Sequence, residues 1–194
     1  MFPKSITKEE INQLPIGHYE GEIVMVETAD ALAEASKELM EFPYLGFDTE
    51  TRPAFRKGDY YPISLIQIAS PEKVYLVRNQ LSGFHPLLNR LFSSDRTLKI
   101  GVGLHDELKE LNKMYAFRPQ GFVDLNKLMG EIGVQNIGVR NMAAIFLNFR
   151  ISKGQQTTNW EREELTDKQK IYAATDAWVC LEIYQKLKNW ALID

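Results

Sequence analysis

The sequence predicts a single α/β domain, in which helices cover a mixed β-sheet. Three observations predict it. Short apolar runs bounded by turn signals dominate the first half of the chain, the pattern of strands. Further on, helical periodicities alternate with short strands, and the last third is mostly helical. The 194 residues contain no internal repeat, low-complexity tract or interdomain linker.

Residues 1–21 are mixed and polar, with Pro3, Pro15 and Gly17, and read as an extension packed on the domain, with a helical turn from Thr7. The domain proper is assigned to residues 22–194. Glu22–Glu27 is a short strand. Thr28 caps a helix over about 29–41, where Leu32, Ala35, Leu39 and Met40 recur at helical spacing and Pro43 stops the run. Tyr44–Phe47 is a near-continuous apolar run, as in a buried strand. Ile63–Ile68 and Lys73–Val77 form an antiparallel hairpin about the turn Ser70-Pro71-Glu72. A helix over 84–91, a strand over 98–102, a helix over 106–115, a small strand at 122–123 and helical turns over 124–131 follow. One helix is expected over 139–147, a polar loop over 150–160, and a long helix from Asp167 to Trp190 with Thr166 as its N-cap.

Composition narrows the function classes. The hydrophobic share of 44% and charged share of 25% are ordinary for a globular protein and exclude fibrous and disordered chains. The single cysteine, Cys180, excludes a disulfide framework and a Cys-rich zinc site and is expected to be a packed core thiol. A net charge of −3 excludes a strongly basic nucleic-acid binder. The longest apolar runs are short and the first residues are no signal peptide, so the chain is expected to be soluble and cytoplasmic.

Three short segments carry candidate chemistry. Asp48-Thr49-Glu50 follows the strand Tyr44–Phe47, and the period of two points both carboxylates to one side. Two such groups repel unless a cation or a proton lies between them. In the last helix, Tyr172 and Asp176 are four residues apart and share a face, with Ala173 and Ala174 leaving room for a close neighbour. Gly101–Glu107 follows a strand and opens a helix with two acids in its first turn. Each alone also fits ordinary structure: a solvated strand end, an amphipathic helix, a capped helix start. A dinucleotide-binding reading of Gly101-x-Gly103 fails because the third glycine is absent.

In this order and spacing, the three segments resemble the motifs of the DEDD superfamily of 3′–5′ exonucleases, in the DEDDy branch that includes RNase D and the Werner-syndrome exonuclease domain. Motif I is Phe47-Asp48-Thr49-Glu50, motif II is Gly101–Glu107 followed by Leu111, and motif III is Tyr172 and Asp176 within Tyr-Ala-Ala-Thr-Asp-Ala. Supporting pieces are Leu65–Ile68, Phe122–Leu125 and Thr158-Asn159-Trp160, and the similarity covers about residues 22–190. His105 does not play the part of a DEDDh histidine, because Tyr172 holds the motif III position.

The resemblance implies an RNase H-like fold with a five- or six-stranded mixed sheet. It also implies a metal-dependent exonuclease that releases nucleoside monophosphates from single-stranded or other nucleic-acid 3′ ends. Two Mg²⁺ or Mn²⁺ ions about 3.5–4 Å apart would activate water and stabilise the leaving oxygen. Asp48 and Asp176 would hold the nucleophile-side ion, Asp48 would bridge to the second, Glu50 would align the water and Tyr172 would orient it. Motif II offers two candidates: residue type favours Asp106, whereas counting back one turn from Leu111 favours Glu107. The expectation is that Glu107 faces the ions and Asp106 caps the helix, with both kept as candidate ligands. Candidate substrate contacts are Thr49, Arg52 beside motif I, Lys153 in a polar basic stretch, and Trp160, which either buttresses the site or stacks a base. No Walker A motif is present, so no fused helicase is expected, nor the helical domains that follow the nuclease in RNase D. The competing class is a nucleic-acid-binding or scaffolding module of the same fold with weak or lost catalysis.

Overall fold

A computed structural model of the chain describes residues 2–193. Six strands form one mixed sheet: β1 (Glu22–Val26), β2 (Tyr44–Thr51), β3 (Ile63–Ala69), β4 (Lys73–Val77), β5 (Leu98–Gly101) and β6 (Phe122–Asp124), in the order β1-β4-β3-β2-β5-β6. Only β3 is reversed: it pairs antiparallel with β2 and β4, while the other pairings are parallel. The hairpin expected at Ser70-Pro71-Glu72 is therefore one of the two antiparallel junctions of the sheet, the other being β2 against β3. β2 outruns the apolar run that marked it, because β3 pairs with it as far as Thr51, with Asp48 opposite Gln67 and Glu50 opposite Leu65.

Helices cover both faces. On one side pack α2 (Ala29–Leu39), α4 (Pro86–Phe92) and α5 (Leu104–Met114), whose Leu32, Leu39, Leu88, Phe92 and Leu111 meet Leu45, Phe47, Ile66 and Ile68 of the sheet. On the other side lies α8 (Asp167–Asn189), which seats Ala173, Ala174 and Ala177 against Leu65, Ala69 and Leu76. The Thr166 hydroxyl accepts from the Gln169 backbone N–H at 3.3 Å, and the Gln169 side chain accepts from the Thr166 N–H at 3.1 Å, a capping box at the expected residue.

Period two turns Leu45 and Phe47 to the first face and Gly46, Asp48 and Glu50 to the α8 face. A β-carbon at residue 46 would overlap the carbonyl oxygen of Ala177, so only glycine lets β2 and α8 approach this closely. That contact brings Asp48 beside Asp176.

The remaining helices are short: α1 (Lys8–Gln13), α3 (Asn79–Ser82), α6 (Leu125–Glu131) and α7 (Val139–Met142). The single helix expected over 139–147 is instead α7 continued by a π-helical turn, Ala143–Leu147, that ends at Asn148 in the left-handed region (φ 60°). The N-terminal segment is tied down along the domain. Gly17 N–H donates to the Arg150 carbonyl at 3.1 Å, Arg150 N–H to Pro15 at 2.9 Å, and Tyr19 N–H to the Thr175 hydroxyl of α8 at 2.9 Å. Thr7 caps α1 in a capping box with Glu10.

On β5, Lys99 is fully buried and its three N–H groups are shared among four carbonyl oxygens within hydrogen-bond distance, those of Leu91 (2.9 Å), Ser94 (2.6 Å), Thr97 (2.9 Å) and Gln120 (2.7 Å). It staples the end of α4 to the loops before β5 and β6. Burial pulls its amine down to about 8. No helix among the described residues is long and apolar enough to cross a membrane.

Candidate active site

The carboxylates converge where the end of β2 meets the middle of α8. Asp48, Glu50 and Asp176 each offer an oxygen within 4.8 Å of the others'. They line a cleft of about 480 Å³ together with Thr49, Glu107, Arg140, Lys153 and Tyr172. Tyr172 and Asp176 stand one above the other on α8, and the Cys180 thiol below them donates to the Asp176 carbonyl at 3.2 Å. Cys180 is buried in the core, as expected.

Glu107 reaches the cleft because of where α5 begins. The helix starts at Leu104 rather than near 106, so Glu107 lies between Leu104 and Leu111 on the inward face. The start is fixed by Gly103 in the left-handed conformation (φ 69°) and by Asp124, whose carboxylate accepts from the N–H groups of Gly103 (3.0 Å) and Leu104 (3.2 Å). The same carboxylate accepts from Asn126 N–H at 2.9 Å and so caps α6 as well. The expectation that Asp106 caps the helix is therefore corrected. Asp106 is also outside the carboxylate cluster: its side chain is 90% exposed and faces Lys109 at 3.6 Å, because a residue one step from the inward face points to solvent.

Burial and mutual repulsion raise the affinity of the cluster for protons. Asp48 is held well above the ordinary carboxylate range by burial, then by Glu107, Asp176 and Glu50 around it. Burial, Asp176 and Glu107 push Glu50 up to about 9. Burial lifts Glu107 to about 8, opposed by a hydrogen bond from the Thr49 hydroxyl. Asp176 rises only to about 6, because the Tyr172 hydroxyl and the Arg140 guanidinium offset part of its burial. Burial, then Asp176 and Glu50, also raise the Tyr172 phenol, which therefore stays an O–H donor.

These residues fit a divalent cation. Asp176 Oδ1 and Glu107 Oε2 are buried without a hydrogen-bond partner, an arrangement that is costly for a carboxylate unless something positive meets it. An all-oxygen anionic donor set suits hard ions such as Mg²⁺ or Mn²⁺.

The candidate substrate contacts divide. Thr49 and Lys153 line the cleft. Arg52 does not: it pairs with Glu161 at 3.4 Å and lies over the Tyr61 ring at 4.6 Å. Trp160 is 1% exposed, with its ring 6.1 Å from that of Tyr172, so it buttresses Tyr172 from behind and has no face free to stack a base. Its loop is held by Gln169, which donates to Thr158 Oγ1 and the Asn159 carbonyl, and by Arg78, which donates to the carbonyls of Arg162 and Glu163. Sequence reasoning missed Arg140 and Asn141, which reach the cleft from α7, a helix too short for its periodicity to show a face.

A family model described as 3′-5′ exonuclease matches residues 23–191. The mouse exonuclease 3′-5′ domain-containing protein 2 is 30% identical over 93% of the chain and 32% of its own length. The mouse bifunctional 3′-5′ exonuclease/ATP-dependent helicase WRN is 30% identical over 92% of the chain and 13% of its own length. The crystal structure of Escherichia coli RNase D superposes with a TM-score of 0.79 at 25% identity, over 87% of this chain and 44% of that one. The chain thus spans a third or less of the length of these two mouse relatives. With its reversed β3, its buried carboxylate cleft and a family match over nearly the whole chain, this is an RNase H-like domain that belongs to the 3′–5′ exonuclease family.

Proposed function

We propose that the chain is a metal-dependent 3′–5′ exonuclease of the DEDDy type, which hydrolyses the terminal phosphodiester of a nucleic-acid 3′ end and releases a nucleoside monophosphate. The observation that carries this reading is the cluster itself: three carboxylates within 4.8 Å, a fourth on the same cleft, and a phenol one helical turn from Asp176. Two bound divalent ions would supply an activated water and neutralise charge on the leaving oxygen. Asp48, which feels Glu50, Asp176 and Glu107 at once, is the natural shared ligand. Glu50 and Asp176 would hold an ion together with Asp48, and Glu107 would contribute to a second.

Tyr172 keeps its proton, so its hydroxyl orients the attacking water by hydrogen bonding rather than by removing a proton. Trp160 behind the ring limits its rotation. Arg140, which lines the cleft and acts on both Asp176 and Tyr172, is placed to meet phosphate oxygens as negative charge develops. The E. coli relative is described as an exoribonuclease involved in structured RNA processing, which supports RNA as a substrate beside DNA.

The test is 3′-end shortening of 5′-labelled single-stranded RNA and DNA, with Mg²⁺, Mn²⁺ or EDTA. Stepwise shortening with metal, none in EDTA and none with Asp48→Ala is expected. Undiminished hydrolysis by Asp48→Ala overturns the assignment. A wild type that binds strands but never shortens them favours the binding-module alternative.

A further inference from the structure

Beside the carboxylate cleft lies a second cavity of about 460 Å³, walled by α1 of the N-terminal segment and by the stretch from Asn136 to Lys153. The two cavities adjoin, since Arg140, Asn141 and Lys153 line both. Their charges are opposite. The cleft holds four carboxylates, whereas the second cavity is lined by Lys8, Arg140, Arg150 and Lys153 and by no acidic residue. None of these four cations pairs with a carboxylate among the described residues. The nearby acid Glu10 is turned away into the capping box of α1.

Lys8 and Arg150 have no carboxylate partner among the described residues, while Arg140 and Lys153 reach towards the carboxylate cleft, so the cavity carries local positive charge in a chain whose net charge is −3. Such an arrangement suits a bound polyanion. The wall is fixed rather than fluid: Arg150 Nε donates to the Leu14 carbonyl at 3.0 Å, and Ile6 N–H donates to Asn136 Oδ1 at 2.8 Å. The cavity is thus preorganised by contacts that only the N-terminal segment supplies.

We propose that this cavity is a phosphate-binding subsite for a phosphodiester of the strand whose 3′-terminal nucleotide occupies the carboxylate cleft. The inference rests on the exonuclease reading above. With the 3′ end in the cleft, all remaining nucleotides lie on its 5′ side, so the subsite takes a phosphate upstream of the scissile bond. The N-terminal segment is then part of the substrate track, and it sets how long a strand must be to bind fully.

Lys8→Glu tests this, since the Lys8 side chain is exposed and makes no ion pair or hydrogen bond among those of the described residues. Binding of a fluorescein-labelled 12-nucleotide strand is measured by anisotropy in EDTA, where no turnover interferes. Hydrolysis of the 12-mer and of a dinucleotide is measured with Mg²⁺. Lys8→Glu should weaken 12-mer binding about fivefold and lower the log–log salt slope by about 0.7, the share of one phosphate contact on a single strand. Dinucleotide hydrolysis should not change. Asn12→Asp, which places a charge on the same wall, should act in the same direction, and Lys37→Glu on α2, the same change of net charge, should leave binding unaltered.

Equal loss on 12-mer and dinucleotide, or no loss on either, overturns the proposal. So does weaker inhibition by free nucleoside monophosphate with 12-mer binding intact, which would mark a product exit. A wild type that binds the 12-mer through Lys8 yet never cleaves it sinks the exonuclease reading and keeps the subsite. Cleavage with binding indifferent to Lys8→Glu does the reverse.

Discussion

Stability without metal should fall as pH rises, and Glu50 is the residue through which to see it. Its carboxyl holds its proton up to about 9 in the folded chain, against an ordinary 4.5, and Glu107 does so up to about 8. A folded pKa raised above the unfolded one gives stability that is full below the unfolded value and is lost as pH climbs towards the folded one. Between pH 5.5 and 7.5 the metal-free folded chain therefore carries at least one proton more than the unfolded chain. One retained proton costs about 1.4 kcal/mol per pH unit, or about 3 kcal/mol over that interval. For a domain of this size that is a drop in Tm of roughly 6–12 °C. Calorimetry at constant ionic strength in EDTA measures it directly. Glu50→Gln, which stays neutral throughout, should flatten the fall. Saturating Mg²⁺ should stabilise the wild type more at pH 7.5 than at pH 5.5, because the ion competes with the retained protons. A metal-free Tm that is level across the interval, or a Glu50→Gln slope equal to that of the wild type, would refute the repulsion argument.

Tyr172→Phe should lower kcat by about 10²-fold while leaving the Mg²⁺-induced rise in Tm intact; loss of that rise with normal turnover at saturating metal would mean that the phenol serves the ion instead. Glu107→Ala should cost about 10²-fold in turnover and Asp106→Ala should be close to silent, an order that single-turnover assays can reverse if Asp106 is the ligand. Lys99→Met should destabilise the fold by about 2–4 kcal/mol in urea denaturation, since four carbonyl oxygens lose their donor; a change under about 1 kcal/mol would show that the loops satisfy themselves with water.

Features set by local periodicity are legible in the sequence alone. The period of two that aligned Asp48 with Glu50, the spacing of four between Tyr172 and Asp176, and the Thr166 cap all depend on near neighbours in sequence. The register argument at Leu111 worked for the same reason and selected Glu107 for the cleft. What escaped depends on distant partners. The first turn of α5 is capped by Asp124, about twenty residues on, so the helix begins two residues earlier than its own sequence suggests. Asp106, the better residue type, points to solvent because it stands one step off the helix face that Leu111 sets, the face on which Glu107 meets the cleft. Trp160 could equally have been a stacking platform, because an indole's bulk does not say which of its faces is covered. The cavity beside the cleft needs the N-terminal segment and residues from Asn136 onward to meet, and no local pattern encodes that meeting.

The close approach of Gly46 to Ala177 has a consequence for how such a site can change over time. The spacing of Asp48 from Asp176 is set by main chain against main chain, so drift in the surrounding side chains leaves it untouched. Any enlargement at residue 46 must instead push α8 off the sheet and carry Tyr172 and Asp176 with it, an all-or-nothing loss. Adaptation of this domain to another ion, another polymer or a slower tempo is thereby channelled away from that pair. It has to run through the adjustable walls: Glu107 on a helix whose start a single carboxylate determines, Arg140 on a four-residue helix, and the N-terminal segment. For an engineer, those three are the dials, and Gly46 is the bolt.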